Sequence, residues 1–137
     1  MIEVCGMNQL YGGTQILWDL NLNVEEGSCL CLMGRNGVGK TTLLKCLMGL
    51  LPIAKGKVLL GGDDLTHKPA EDRAPLGIGY VPQGRDIFPL LTVEENLRVG
   101  LGARQDKSND IPEKVFELFP VLEEMLHRRG GDLSGGQ

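Results

Sequence analysis

Several things this chain lacks narrow its chemistry. There is no excess of basic residues: 14 Lys and Arg stand against 18 Asp and Glu, a net charge of −4. Surfaces that hold nucleic acid are usually basic. Here Arg128-Arg129 is the one adjacent pair of cations, so the positive charges read as a solvated surface and no nucleic-acid partner is expected. No two of Cys5, Cys29, Cys31 and Cys46 form a C-x-x-C pair, and His67 and His127 are far apart. The clustered ligand spacing of a structural metal site is missing. No leader segment precedes the chain's first strand-like run, which with free thiols leads us to expect a reducing cytoplasm. No apolar run approaches the roughly 20 residues of a membrane helix, so any membrane role must come through a partner. Repeats and low-complexity tracts are absent too. What remains, 42% hydrophobic and 23% charged residues over 137 positions, suits one soluble domain with a core.

The first half reads as strands. Residues 2–10 mix apolar and polar types, and Tyr11-Gly12-Gly13 marks a turn. In residues 16–24, Ile16, Trp18, Leu20, Leu22 and Val24 alternate with polar neighbours, the period of a half-buried antiparallel strand. Residues 29–33 are continuously apolar, as a central strand covered on both faces should be. Cys29 and Cys31 are then expected to be buried as small hydrophobes. Leu43, Leu44, Leu47 and Met48 recur at helical spacing, and Gly49 and Pro52 end that helix. Short strands are expected at residues 57–60 and 77–81, with a helical turn at 69–73. Thr92-Val93-Glu94-Glu95 has the form of a capping box. Asp110 with Glu113 gives a second cap, Pro120 breaks the helix that follows, and residues 121–128 should form another.

Between the apolar run and the helix lies Gly34-Arg35-Asn36-Gly37-Val38-Gly39-Lys40-Thr41. It fits G-x-x-x-x-G-K-[ST], the phosphate loop. Polyphosphate charge must be taken from water and held. Glycines let the backbone wrap closely, successive N–H groups form a nest, and the helix adds free amides and its positive dipole end. Lys40 supplies a mobile cation and Thr41 a hydroxyl for Mg²⁺. The strand–loop–helix context points to ATP with Mg²⁺ as the cofactors, rather than to a chance glycine turn.

The chain closes on Leu133-Ser134-Gly135-Gly136-Gln137. Ser134 and Gln137 have the S-x-x-Q spacing of a capping box, and two glycines at a helix start would make a second anion site. With the phosphate loop, and with Gly77-Ile78-Gly79-Tyr80-Val81-Pro82-Gln83 between, the whole chain resembles an ATP-binding cassette (ABC) ATPase. The resemblance implies an α/β P-loop NTPase core with an antiparallel β subdomain and the start of a helical subdomain. It divides the chain into a nucleotide-binding core at 1–84 and helical residues at 85–137, and it implies that the chain stops within the domain.

The resemblance also assigns residues. Tyr11 would stack on adenine. Gly34, Asn36, Gly37, Gly39, Lys40, Thr41 and Thr42 would contact nucleotide, with Thr41 and Gln83 at Mg²⁺. Lys40 and Gln83 would serve catalysis. Leu133, Ser134, Gly135, Gly136 and Gln137 would reach ATP held by a second ABC ATPase subunit. Phe88 would face a permease subunit; for Leu90 and Leu91, that interface and core packing, including a staple from Leu91 into the next helix, both stand. The implied partners are transmembrane permeases and, indirectly, a periplasmic solute-binding protein. The location would be the inner face of the cell membrane.

Within the family the chain is most similar to urea-importer ATPases, a branch beside the branched-chain amino-acid importers. Those relatives usually carry Glu where Gln83 stands. The family's water-polarising Asp-Glu pair should follow LSGGQ. Asp63-Asp64, after Gly61-Gly62, reads instead as a hairpin, and His67 and His127 read as surface residues. The first alternative is a branched-chain amino-acid importer's ATPase; a soluble ABC protein of DNA repair or translation stands behind it, because the large insertions such proteins carry are not visible. A small kinase or G protein is disfavoured by LSGGQ and by the lack of N-K-x-D.

Overall fold

The computed structural model describes residues 1–84, 86–104 and 108–134. Two compact units divide the chain, Met1–Gly79 and Tyr80–Gln137. In the first, β1 (Ile2–Tyr11) and β2 (Thr14–Val24) form a hairpin. Its turn is Gly12-Gly13, with φ of 51° and 92°, the left-handed pair that two-residue hairpins require. Then come α1 (Lys40–Leu47), β3 (Lys55–Leu60), β4 (Asp63–Asp64) and α2 (Ala70–Arg73). The sheet order is β2-β1-β3-β4, every neighbour antiparallel. Asp63 and Asp64 sit on the hairpin expected of them.

The expected alternation of β2 holds for only half the strand. Leu20, Leu22 and Val24 are half-buried between exposed Asn21 and Asn23. Nearer the turn, Leu17 is buried and Trp18 is 71% exposed. Between these halves Asp19 has φ of 42°, and the β1–β2 register shifts between Val4 and Met7 and again before Gln9. An inserted residue flips every side chain beyond it to the other face. Side chains repair the broken ladder. Asn21 Oδ1 accepts the Gly6 N–H at 2.8 Å, and Asn8 Oδ1 accepts the Asp19 N–H at 3.2 Å.

Val4, Met7, Leu17, Leu43, Cys46, Val58 and Leu65 make the core of this unit. α1 lies on it through Leu43 and Cys46, while Leu44 stays 45% exposed. Arg73 is buried as well, at 2% exposure. Its guanidinium donates to the carbonyls of Lys68 (2.8 Å), Cys46 (3.0 Å), Leu47 (2.8 Å) and Leu65 (2.6 Å).

Residues 29–33 and 77–81 are not strands. Cys29 and Cys31 are exposed rather than buried, Met33 is 84% exposed and Val81 92%. A central strand draws its ladder and its cover entirely from neighbours. Among the described residues no strand flanks either run.

In the second unit, α3 (Val93–Leu101) opens with the expected capping box. Thr92 Oγ1 accepts the Glu95 N–H at 3.2 Å, and Glu95 Oε2 accepts the Thr92 N–H at 2.7 Å. The Thr92 N–H, and then the Thr92 hydroxyl at 3.0 Å, donate to the Glu95 carboxylate and hold it below its ordinary pKa. α4 (Glu113–Leu118) begins instead after Pro112, with no side-chain cap. Proline's fixed φ suits that boundary, and Asp110 lies outside it. α5 (Val121–Glu124) stops short of Arg128. The backbone beyond runs beside the start of α3: Glu94 N–H donates to Leu126 O at 3.1 Å, and Val93 N–H to Arg128 O at 2.9 Å.

Candidate functional site

The phosphate loop folds around a single cation. Lys40 Nζ donates to Gly34 O and to Arg35 O, each at 2.7 Å, so the ammonium lies against the backbone of its own loop. Gly39 is the N-cap of α1, in the left-handed region with φ of 99°, and Gly37 has φ of 83°. Gly39 is fixed by packing too. A Cβ there would stand 2.9 Å from Leu17 Cδ2 and 3.2 Å from Ile16 Cγ2. The β1–β2 hairpin therefore sets how closely the helix start approaches the sheet.

The first i→i−4 bond of α1 joins Leu43 N–H to Gly39 O at 2.8 Å. The amides of Lys40, Thr41 and Thr42 precede it and have no acceptor within the helix. Free amides, the dipole end and an ammonium together form an anion site. Asn36, Gly37 and Thr41 are exposed around it, and Thr42 is half-buried. This donor set fits a polyphosphate. The exposed Thr41 hydroxyl beside those amides suits a hard cation such as Mg²⁺, whose part when bound is to neutralise phosphate charge. Among the described residues, no group of three or more His, Cys, Asp or Glu side chains forms a metal-ligand cluster.

Tyr11 ends β1, half-exposed and paired with Thr14. It lies on the same hairpin that packs on Gly39, a few residues nearer the turn. Asp64 is held below its ordinary pKa by hydrogen bonds from Thr66, and His67 and His127 are exposed.

The second unit carries the other expected residues. Gln83 is exposed in an irregular segment next to Gly84, whose φ is 105°. Phe88 is 53% and Leu90 80% exposed, while Leu91 is half-buried. A staple from Leu91 would need an apolar residue at the fourth helical position. That position is Asn96, whose Nδ2 bonds Leu91 O at 3.3 Å instead. Leu133 is half-buried and Ser134 exposed, following a 3-10 turn at Gly130–Asp132. Gly135, Gly136 and Gln137, and so the expected cap on Ser134, lie outside the described residues.

Two structural residues escape a sequence reading. Arg73 carries no local signal. Asn96 does: asparagine is a poor interior helix residue because its side chain seeks nearby backbone.

A glycine loop closing on a lysine at the start of a helix, on a β-sheet that fixes the approach, defines a phosphate-loop nucleotide-binding domain. The chain belongs to the ABC transporter family, whose profile matches residues 17–137. It is 36% identical to a probable branched-chain amino acid transport ATP-binding protein of Archaeoglobus fulgidus, over 100% of this chain and 58% of the relative. It is 39% identical to a high-affinity branched-chain amino acid transport ATP-binding protein of Pseudomonas aeruginosa, over 100% and 59%. A spermidine/putrescine import ATP-binding protein of Aggregatibacter actinomycetemcomitans is 37% identical, with 37% of its length covered. The solved structure of a nucleotide-free ATP-binding cassette from an ABC transporter superposes with a TM-score of 0.81, at 26% identity, over 100% of this chain and 60% of that one. The chain thus spans under two thirds of the relatives it matches. Among the described residues no helix is long and apolar enough to cross a membrane.

Proposed function

We propose that this chain is the ATP-binding part of an importer's ATPase subunit, with residues 1–84 as the nucleotide-binding core and 85–137 as helical subdomain up to the signature. The observation that carries it is the Lys40 clasp on Gly34 O and Arg35 O, beside the free amides of α1. In this reading Gly34, Asn36, Gly37, Gly39, Lys40, Thr41 and Thr42 cradle the phosphates, and Tyr11 stacks on the base. Thr41 and Gln83 hold Mg²⁺, and Gln83 also orients the attacking water. Residues 133–137 complete the site of a second ATPase subunit. Exposed Phe88 and Leu90 receive a permease subunit at the inner face of the membrane, and a periplasmic solute-binding protein delivers the solute on the far side.

Gln83 in place of the glutamate usual among branched-chain relatives favours urea or a short amide as solute. The relatives named for branched-chain amino acids support the second reading. A deletion strain that loses urea uptake would favour the first; loss of branched-chain uptake alone would favour the second.

No apolar run in the sequence ends in Asp-Glu. We therefore infer binding without useful hydrolysis by this chain alone, since a missing general base forfeits about 10²–10⁴-fold in rate. The test is calorimetry with MgATP together with phosphate release, on this chain and on the longer parent protein. Lys40→Ala removes charge-assisted bonds of about 1.5–3 kcal/mol each, so affinity should fall tenfold or more in both. Equal affinity in wild type and variant would refute the site. Matching hydrolysis by the short and long proteins would refute the assignment of the missing base.

A further inference from the structure

Asn96, the fourth residue of α3, does more than extend the helix. Its Oδ1 accepts the Phe88 N–H at 2.9 Å and its Nδ2 donates to Phe88 O at 3.0 Å. One side-chain amide thereby pairs with both backbone groups of Phe88, as a neighbouring strand would. The same Nδ2 also reaches Leu91 O at 3.3 Å and Thr92 O at 2.9 Å. On the other side of this amide lies Gly130, which is buried. A Cβ on Gly130 would stand 3.1 Å from Asn96 Nδ2, 3.2 Å from Ile87 Cδ1 and 3.3 Å from Phe88 O. The backbones are joined as well. Gly130 N–H donates to Leu91 O at 2.8 Å and Gly131 N–H to Pro89 O at 3.0 Å, and Thr92 bridges Arg129. Leu133 and Ser134 follow directly. The exposed apolar loop after Gln83 and the segment leading into the signature are therefore one hydrogen-bonded body, with the Asn96 amide at its centre.

We propose that Asn96 is a positioning residue that transmits load from the Phe88–Leu90 loop to Leu133 and Ser134, with Gly130 as the contact that admits it. A side chain at Gly130 would push the amide and the Phe88 backbone away by a few tenths of an ångström, so glycine lets the amide and the pre-signature backbone meet without a shift. The proposal rests on the importer reading for what pushes on Phe88, but the mechanical link stands on the hydrogen bonds alone.

Asn96→Asp keeps the acceptor and the shape and loses the three donated bonds, so it separates the clasp from helix packing. Two measurements on the parent protein test it. First, amide hydrogen exchange at Gly130 and Gly131 should speed about tenfold in Asn96→Asp, while Val4 and Val58 in the other unit keep their rates. Unchanged exchange at Gly130 overturns the proposal, whatever the protein transports. Second, in the assembled transporter, ATPase stimulated by the permease should fall about tenfold, with basal ATPase and ATP affinity kept within about twofold. Gly130→Ala should reproduce this pattern. Basal and stimulated rates falling together would make Asn96 merely structural and overturn the coupling role. A wild-type protein that binds ATP but responds to no permease would refute the importer reading, and the exchange result would still decide the link.

Discussion

Replacing Arg73 by methionine tests whether the phosphate loop's helix is held from its far end. The guanidinium is 2% exposed, and burial lowers its pKa from the ordinary value. It spends its donors on four backbone carbonyls at 2.6–3.0 Å. Two of these, Cys46 and Leu47, belong to the last turn of α1, where carbonyls lack helical partners and the dipole favours a cation. Methionine keeps most of the stem and removes every donor. Cys46 O keeps a second donor in Gly49 N–H, and Leu65 O keeps Lys68 N–H. Leu47 O and Lys68 O lose the donor that Arg73 gave them. A buried acceptor left unmade costs about 1–3 kcal/mol; both of these sites are only part-buried, so the two together lie toward the low end of about 2–6 kcal/mol.

Against this, methionine spares the desolvation of a cation, which is worth several kcal/mol for a buried ion. Relaxation at the pocket edge, where Lys68 and Thr66 meet solvent, also softens the loss. The two effects are of similar size, so a net destabilisation of about 1–2 kcal/mol follows, still a sizeable share of the roughly 5–15 kcal/mol of a whole domain. Arg73→Lys should fall between, since a single ammonium cannot span four carbonyls. Urea unfolding followed by circular dichroism, with labelling of the buried Cys46 thiol as a second probe, measures it. A midpoint for Arg73→Met within about 0.5 kcal/mol of wild type would refute the reasoning. It would mean that desolvation cancels the bonds.

The Cys46 thiol, 1% exposed, is pushed from 9.0 up to about 11 by burial, partly countered by Arg73. A raised pKa means that the folded chain keeps its proton while the unfolded chain loses it. Stability is therefore full below pH 9 and should fall as pH rises from 9 toward 11, by at most roughly 3 kcal/mol. Cys46→Ala should flatten that slope in urea titrations, and a thiol reagent at neutral pH should label Cys5, Cys29 and Cys31 well before Cys46. At the nucleotide site, Tyr11→Ala should weaken ATP binding by about 0.5–1.5 kcal/mol while Tyr11→Trp preserves it. Equal losses in calorimetry would make Tyr11 a packing residue.

What the sequence shows directly is local. The phosphate loop, the glycine turns at Gly12-Gly13 and Gly61-Gly62, and the Thr92–Glu95 box each depend on residues within a few positions of one another. The failures depend on distant partners. Trp18 and Leu17 trade faces because a bulge at Asp19 is matched across the ladder near Gly6, which no period-two count on one strand reveals. Residues 29–33 carry the composition of a central strand, yet strand status comes from flanking backbone. Arg73 reads as a surface cation in a short polar helix until carbonyls from two separate segments, the end of α1 and the loop at residues 65–68, converge on it.

Lys40, Arg73 and Asn96 share one device: a side-chain donor spent on backbone carbonyls near a helix end. Burial decides what each does. Arg73 is sealed, so its bonds are permanent and serve stability. Asn96 is half-buried and its amide is neutral, so its bonds tie two segments without the cost of a desolvated charge. Lys40 holds Gly34 O and Arg35 O at the solvent edge of the loop. Its bonds to neutral carbonyls are charge-assisted on one side only. A phosphate oxygen charges the other side too, and ionised partners make the stronger bonds. Under the proposed function, Lys40 can therefore exchange carbonyls for phosphate without leaving the loop, which is the freedom Arg73 lacks. The same contact that shapes the loop thus leaves its cation ready to move.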